Sequence, residues 1–184
     1  MPRRPQRRLT RLWLPPATNI VMAAAVQHAC ELMNECGMPG LWLHVDALLI
    51  IFPFFYMRFA HALPQAAITA LALDAMWAGP FGTRLVVYSL VLAVFLPLRV
   101  RVRRENPSHM FFFGMMMTLV TFAGLTAASM WAIADWSAFS PLRSGYDLAA
   151  SMLVCGSASY WWMEFQRRSI IGICGEDPAG YSIS

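Results

Sequence analysis

Ala47-Leu48-Leu49-Ile50-Ile51-Phe52 runs almost unbroken into Phe54-Phe55-Tyr56, and comparable apolar stretches recur along the whole chain. That repetition constrains the fold more than any motif does. Of the 184 residues 58% are hydrophobic and 13% charged, whereas a soluble domain carries about 25% charged residues. The mean hydropathy is +0.51. Such a chain cannot cover a globular core with polar surface, but in lipid it would not have to. A span needs about 20 residues, so the length accommodates six with short loops. The sequence therefore predicts an all-α integral membrane protein, a six-transmembrane-helix bundle.

The first span is expected over about Pro16 to Met38 and is the most polar, with Gln27, Glu31 and Asn34 on one helical face and Glu35 beside them. The Arg-rich residues before it, Met1 to Arg11, read as disordered. A cleaved secretory signal is disfavoured because Pro15 and Pro16 interrupt the apolar stretch and further spans follow. The second span is expected at Leu41 to Met57, kinked at Pro53, whose freed carbonyl a neighbouring helix must satisfy. A third runs from Ala62 to Ala78 with Asp74 inside it, and Gly79-Pro80-Phe81-Gly82 reads as a turn. The fourth covers Leu85 to Leu98 and meets the basic loop Arg99 to Arg104, with Asn106-Pro107 as a breaker. The fifth covers Met110 to Ile133, where Gly124 and Ala128 give a small-xxx-small spacing for close helix approach. The sixth covers Leu148 to Phe165 and ends in interfacial aromatics, Tyr160-Trp161-Trp162. The chain thus divides into a basic cytoplasmic segment at 1–15, a transmembrane domain at 16–168 and a short cytoplasmic tail at 169–184.

All the basic charge is arginine, and its distribution sets the orientation. With six spans, one side receives Arg3, Arg4, Arg7, Arg8, Arg11, Arg58, Arg99, Arg101, Arg103, Arg104, Arg167 and Arg168, and the other only Arg84 and Arg143. The positive-inside rule then places both termini in the cytoplasm of the cell membrane. The apolar segments between the charges argue against nucleic-acid binding. The Arg99 to Arg104 loop reads as a topology signal that could also meet anionic lipid headgroups or an acidic partner.

Catalytic patterns are missing. There is no Gly-x-Ser-x-Gly, His-Glu-x-x-His, phosphate loop or dinucleotide fingerprint. His28 and Glu31 lack the convergent partners a metal needs, so no metal or other cofactor is expected. Cys30, Cys36, Cys155 and Cys174 form no Cys-x-x-Cys pair and read as structural, with a Cys30–Cys36 disulfide the one conceivable bridge. Glu164 stands at helical spacing from Arg167 and Arg168 and should pair with them. Asp74 is too costly to face lipid, and Arg84, across the glycine turn, is its expected partner. The chemistry left is binding, not catalysis.

The stretch from Asp46 to Arg104 resembles the rod shape-determining protein MreD family. The resemblance lies in an Asp opening a strongly apolar span (Val45-Asp46-Ala47-Leu48-Leu49-Ile50-Ile51), then a small-residue span ending in Asp and a glycine turn (Ala70-Leu71-Ala72-Leu73-Asp74, Gly79 to Gly82). An apolar span running into a basic loop completes it (Leu85 to Leu98, Arg99 to Arg104). It implies a non-enzymatic membrane component of the bacterial cell-elongation machinery, associated with MreC, the actin-like MreB, the RodA polymerase and its partner transpeptidase. It also implies a fold similar to the substrate-binding subunits of energy-coupling-factor vitamin transporters. That likeness supplies a second reading, an uptake subunit with Glu31, Glu35, Asp46 and Asp74 lining a substrate pocket. The candidate structural or partner-contact residues are Asp46, Asp74, Arg84, Arg101, Arg103 and Arg104.

Overall fold

The computed structural model describes residues 4–36, 42–57, 59–77, 80–133 and 140–174. Its described elements are helical: α1 (Arg4–Glu35), α2 (Asp46–Tyr56), α3 (Phe59–Met76), α4 (Thr83–Phe95) with a 3-10 turn at Leu96–Leu98, α5 (Pro107–Ile133) and α6 (Pro141–Cys174). Both α5 and α6 open on proline, where the missing N–H would have had no helical partner anyway. Asn106 Oδ1 accepts the Ser108 N–H at 3.0 Å, so the Asn-Pro breaker is also the cap of α5.

The packing is five helices in a ring around one. In order round the ring α1 touches α3, α3 touches α4, α4 touches α5, α5 touches α6, and α6 returns to α1, while α2 packs against all five. A helix apolar on every side belongs in an interior, and every residue of α2 from Asp46 to Tyr56 is buried. Its Phe54 and Phe55 rings meet Phe113 of α5, which also receives Phe95 of α4. Close approach between ring helices depends on small residues. A side chain at Gly156 would strike Met115 and Phe111 at about 3 Å, and one at Gly124 would strike Val87 at 3.0 Å. Gly124 of the small-xxx-small pair therefore faces α4.

Among the described residues one helix, over Pro107–Ala132, is long and apolar enough to cross a membrane; Asp46–Tyr56 and Thr83–Leu98 are shorter apolar helices. Polar side chains are buried beside the apolar core, and apolar side chains line part of the surface. Asn19, Gln65, Asp74, Thr118, Ser151, Ser159 and Gln166 are buried, whereas Val86, Leu90 and Val94 of α4 and Phe112, Met116 and Leu119 of α5 are exposed along helical stripes.

Three expectations change. The basic residues from Arg4 to Arg11, read as disordered, continue α1 as helix. Arginine is a good helix former, and Pro5 lies in the first turn, where proline is tolerated. Pro15 and Pro16 fall inside that helix without ending it, and Thr18 Oγ1 donates to the Leu14 and Pro15 carbonyls beside them. At the other end α6 runs past Arg168 to Cys174, with Ile170 packed in the core. The second apolar stretch, finally, is helical only from Asp46; residues 42–45 precede it as non-helical chain. Gly79 and the Arg58 turn lie outside the described residues.

Candidate functional site

At the end of the bundle where α2 begins and α3 turns into α4, three distant parts of the sequence meet in one ionic cluster. The turn comes first. Thr83 N–H donates to the Pro80 carbonyl at 3.2 Å, and Gly82 sits at φ 90°, ψ −5°. That left-handed conformation at the third position of the turn favours glycine. The turn brings the start of α4 back over the last turn of α3, where Asp74 waits. One Asp74 oxygen accepts the backbone N–H groups of Gly82 (2.9 Å) and Arg84 (3.2 Å), and the other accepts Arg84 Nη1 at 3.1 Å. Asp74 thus caps α4 from another helix, placing negative charge at the positive end of the helix dipole. Its side chain is only 2% exposed, and both oxygens are engaged.

Arg84 carries the link to α2. Its Nε lies 3.3 Å from Asp46 Oδ1, and the Tyr88 hydroxyl donates to that same oxygen at 2.7 Å. Tyr88 stands one helical turn after Arg84, so one face of α4 supplies both donors. Trp77 lies under the guanidinium at 4.7 Å from the ring centre, in cation–π range. The expected Asp74–Arg84 pair is present, then, and Asp46 joins it. Tyr88 and Trp77 were missed by the sequence reading, although the spacing of Tyr88 from Arg84 was a usable signal.

The non-helical chain leading into α2 is held by α6. Asp147 Oδ1 accepts the Trp42 N–H at 3.2 Å, Ser151 Oγ accepts the His44 N–H at 2.9 Å, and Cys155 Sγ donates to the His44 carbonyl at 3.3 Å. Asp147, Ser151 and Cys155 recur every fourth residue, one stripe of α6. A second polar tie lies deeper. Pro53 removes the helical partner of the Leu49 carbonyl, and Asn19 Nδ2 of α1 donates to that carbonyl at 2.6 Å. Gln166 of α6 donates in turn to Asn19 Oδ1 at 2.5 Å. The neighbour expected to satisfy the proline kink is therefore Asn19.

The other candidates sit at the opposite end. Arg99 donates to the Met57 and Phe55 carbonyls at 2.7 and 2.9 Å, closing the open end of α2. Burial, and after it the Arg104 charge, lowers the Arg99 pKa from its ordinary value. Arg104 stacks over Tyr56 at 4.9 Å, while Arg101 and Arg103 are exposed. Glu164 pairs as expected, with Arg167 Nε and Arg168 Nε each at 2.8 Å.

Glu31 and Glu35 do not join the Asp46–Asp74 cluster. Glu31 accepts from Gln27 at 2.8 Å on the half-exposed end of α1, and Glu35 is exposed. Cys30, Cys36 and Cys155 are free thiols, so no Cys30–Cys36 bridge is present. Among the described residues no three His, Cys, Asp or Glu side chains gather as a metal site. No protein-family model matches the chain, and no curated protein or solved structure is significantly similar to it.

Proposed function

We propose that this chain is a non-catalytic, six-span component of the bacterial cell-elongation machinery, similar to MreD, with both termini in the cytoplasm. It would maintain rod shape by linking peptidoglycan synthesis enzymes, a RodA-like polymerase and its transpeptidase, to an MreB-like cytoskeleton through an MreC-like partner. The observation that carries this reading is the convergence of Asp46 and Asp74 on Arg84. Asp46 opens the first and Asp74 ends the second of the three sequence features on which the resemblance rests, and in the fold both pair with Arg84.

The membrane placement draws support from the exposed apolar stripes of α4 and α5 and from the segment before α2. The 11 residues of α2 cover about 16 Å as helix. Val45, at φ −94° and ψ 9°, is not extended, so residues 42–44 can add at most about 10 Å, toward the roughly 30 Å of a hydrocarbon core. Irregular backbone at that depth is tolerated only when protein groups satisfy it. Asp147, Ser151 and Cys155 do so here.

The uptake-subunit reading is less well supported, because Asp74 has both oxygens committed to the hairpin and the two α1 carboxylates stand apart. Affinity purification of the full chain from native membranes, with crosslinking, separates the two. Recovery of MreC-like and RodA-like proteins, and rounding of cells on depletion, is expected. Recovery of ATP-hydrolysing transporter subunits, with normal cell shape on depletion, would overturn the proposal.

A further inference from the structure

The bundle end opposite the Asp46–Arg84–Asp74 cluster carries two groups of arginines, and they differ in what neutralises them. Arg167 and Arg168 share Glu164, with guanidinium nitrogens at 2.8 Å from its oxygens. The loop between α4 and α5 holds one carboxylate, Glu105, which is exposed. No carboxylate lies within ion-pair distance of Arg101 or Arg103 among the described residues, although Glu105 is close in sequence.

The loop is built, not loose. Arg99 is fastened to the end of α2 and Arg104 to the Tyr56 ring. Along the loop Arg101 N–H donates to the Leu98 carbonyl at 2.9 Å, Val102 N–H to the same carbonyl at 3.3 Å, and Asn106 N–H to the Arg103 carbonyl at 3.1 Å. The two inner arginines are thus presented outward by a loop whose ends are fixed. Exposed aliphatic side chains accompany them: Leu96, Leu98 and, immediately before Arg101, Val100 at 83% exposure. Solvated loops have little use for an aliphatic residue so fully exposed between cations. At the boundary of a bilayer the same pattern suits both phases, aliphatic groups toward the acyl chains and guanidinium groups at phosphate depth. Arginine pairs with phosphate oxygens through two parallel N–H donors, a stronger match than a point charge gives.

We infer that Arg101 and Arg103, with Val100 as the apolar anchor, form a binding surface for the phosphate of anionic phospholipid headgroups. This rests on the membrane reading above and goes beyond it: the loop selects among lipids, in addition to marking the cytoplasmic side. Arg99 and Arg104 position the loop and take no part in the selection.

The test uses the full chain reconstituted in vesicles of equal phosphatidylglycerol and phosphatidylcholine, then extracted, with the co-purifying lipid quantified at low and high salt. Enrichment of phosphatidylglycerol that falls at high salt is expected. Each cationic side chain near such a surface contributes about five-fold in association, so Arg101→Gln and Arg103→Gln should each reduce enrichment by up to that factor. Arg168→Gln, on the same end but paired, should leave it unchanged. Equal retention of the two lipids by the unsubstituted chain would overturn the inference. So would enrichment that survives the Arg101→Gln/Arg103→Gln double variant, or that variant losing an acidic protein partner while keeping its lipid selectivity. Release of the chain from native membranes by alkaline carbonate would instead remove the membrane reading itself, and the inference with it.

Discussion

Asn19 Nδ2 of α1 donates to the carbonyl of Leu49 in α2 at 2.6 Å, the one helical acceptor that Pro53, four residues on, cannot serve. The central helix is thereby tied to the ring at its own defect. A buried carbonyl left without a donor costs about 1–3 kcal/mol, so Asn19→Leu should destabilise the purified protein by that order. Pro53→Ala restores an N–H to the same carbonyl. In the Asn19→Leu background it should recover most of the loss, read as the midpoint of thermal unfolding in detergent. No recovery would mean that Asn19 acts mainly through Gln166, its other partner.

A different asymmetry follows from the ionic cluster. Arg84 faces two carboxylates, whereas Asp74 also serves two backbone N–H groups that an amide oxygen can still satisfy. Asp74→Asn should therefore cost less than Arg84→Gln, which leaves Asp46 and Asp74 buried without a cation. Removing one partner of a buried ion pair costs about 3–5 kcal/mol, and Arg84→Gln should fall there. The Asp74→Asn/Arg84→Gln double variant should be no worse than Arg84→Gln alone. An equal cost for both single variants would show that the backbone caps contribute nothing.

The proposed six-span arrangement is open to labelling. In a variant lacking the native cysteines, a cysteine at Ser140 should react with an impermeant reagent added outside intact cells. One at Ser108, in the first turn of α5 and also exposed, should react only after permeabilisation. External labelling of Ser108 would reverse the orientation and move the Arg101–Arg103 surface outside the cell.

Much of this arrangement was legible in the sequence, and what was not has a common cause. Apolar runs locate helices because they are a local signal, whereas the proline-opened starts of α5 and α6 escape the sequence reading: Asn106-Pro107 reads there as a breaker and the sixth span as beginning at Leu148. The Asp74–Arg84 pair was readable because a glycine turn folds its members together. Asp46 lies 38 residues from Arg84, and nothing local announces that pairing. Composition showed α2 to be apolar on every face, a mark of burial as much as of a lipid span, but the ring around it is set by contacts between helices. The non-helical residues 42–45 were read as helix because apolar content does not separate a helix from irregular chain that neighbours hydrogen-bond. Charge alone made Met1 to Arg11 look disordered, which overlooked the helix preference of arginine.

The stripe on α6 gives the sharpest test of how that non-helical segment is held. Ser151 Oγ is the acceptor for the His44 N–H, and the hydroxyl is fully buried. Ser151→Ala is small enough to fit and removes only the oxygen, so the His44 N–H loses its partner in a buried setting. The cost should be about 1–3 kcal/mol. Asp147→Asn keeps a carbonyl oxygen where the Trp42 N–H needs one, so it should cost less than Ser151→Ala despite the lost charge. Hydrogen exchange separates a local from a global effect. If the stripe holds the segment, amide exchange at Trp42 and His44 should accelerate in Ser151→Ala while α5 keeps its protection. Unchanged exchange at His44 would show that the segment is held by its apolar packing, the His44–Phe122 ring contact at 4.8 Å included, and that the polar stripe of α6 is incidental to it.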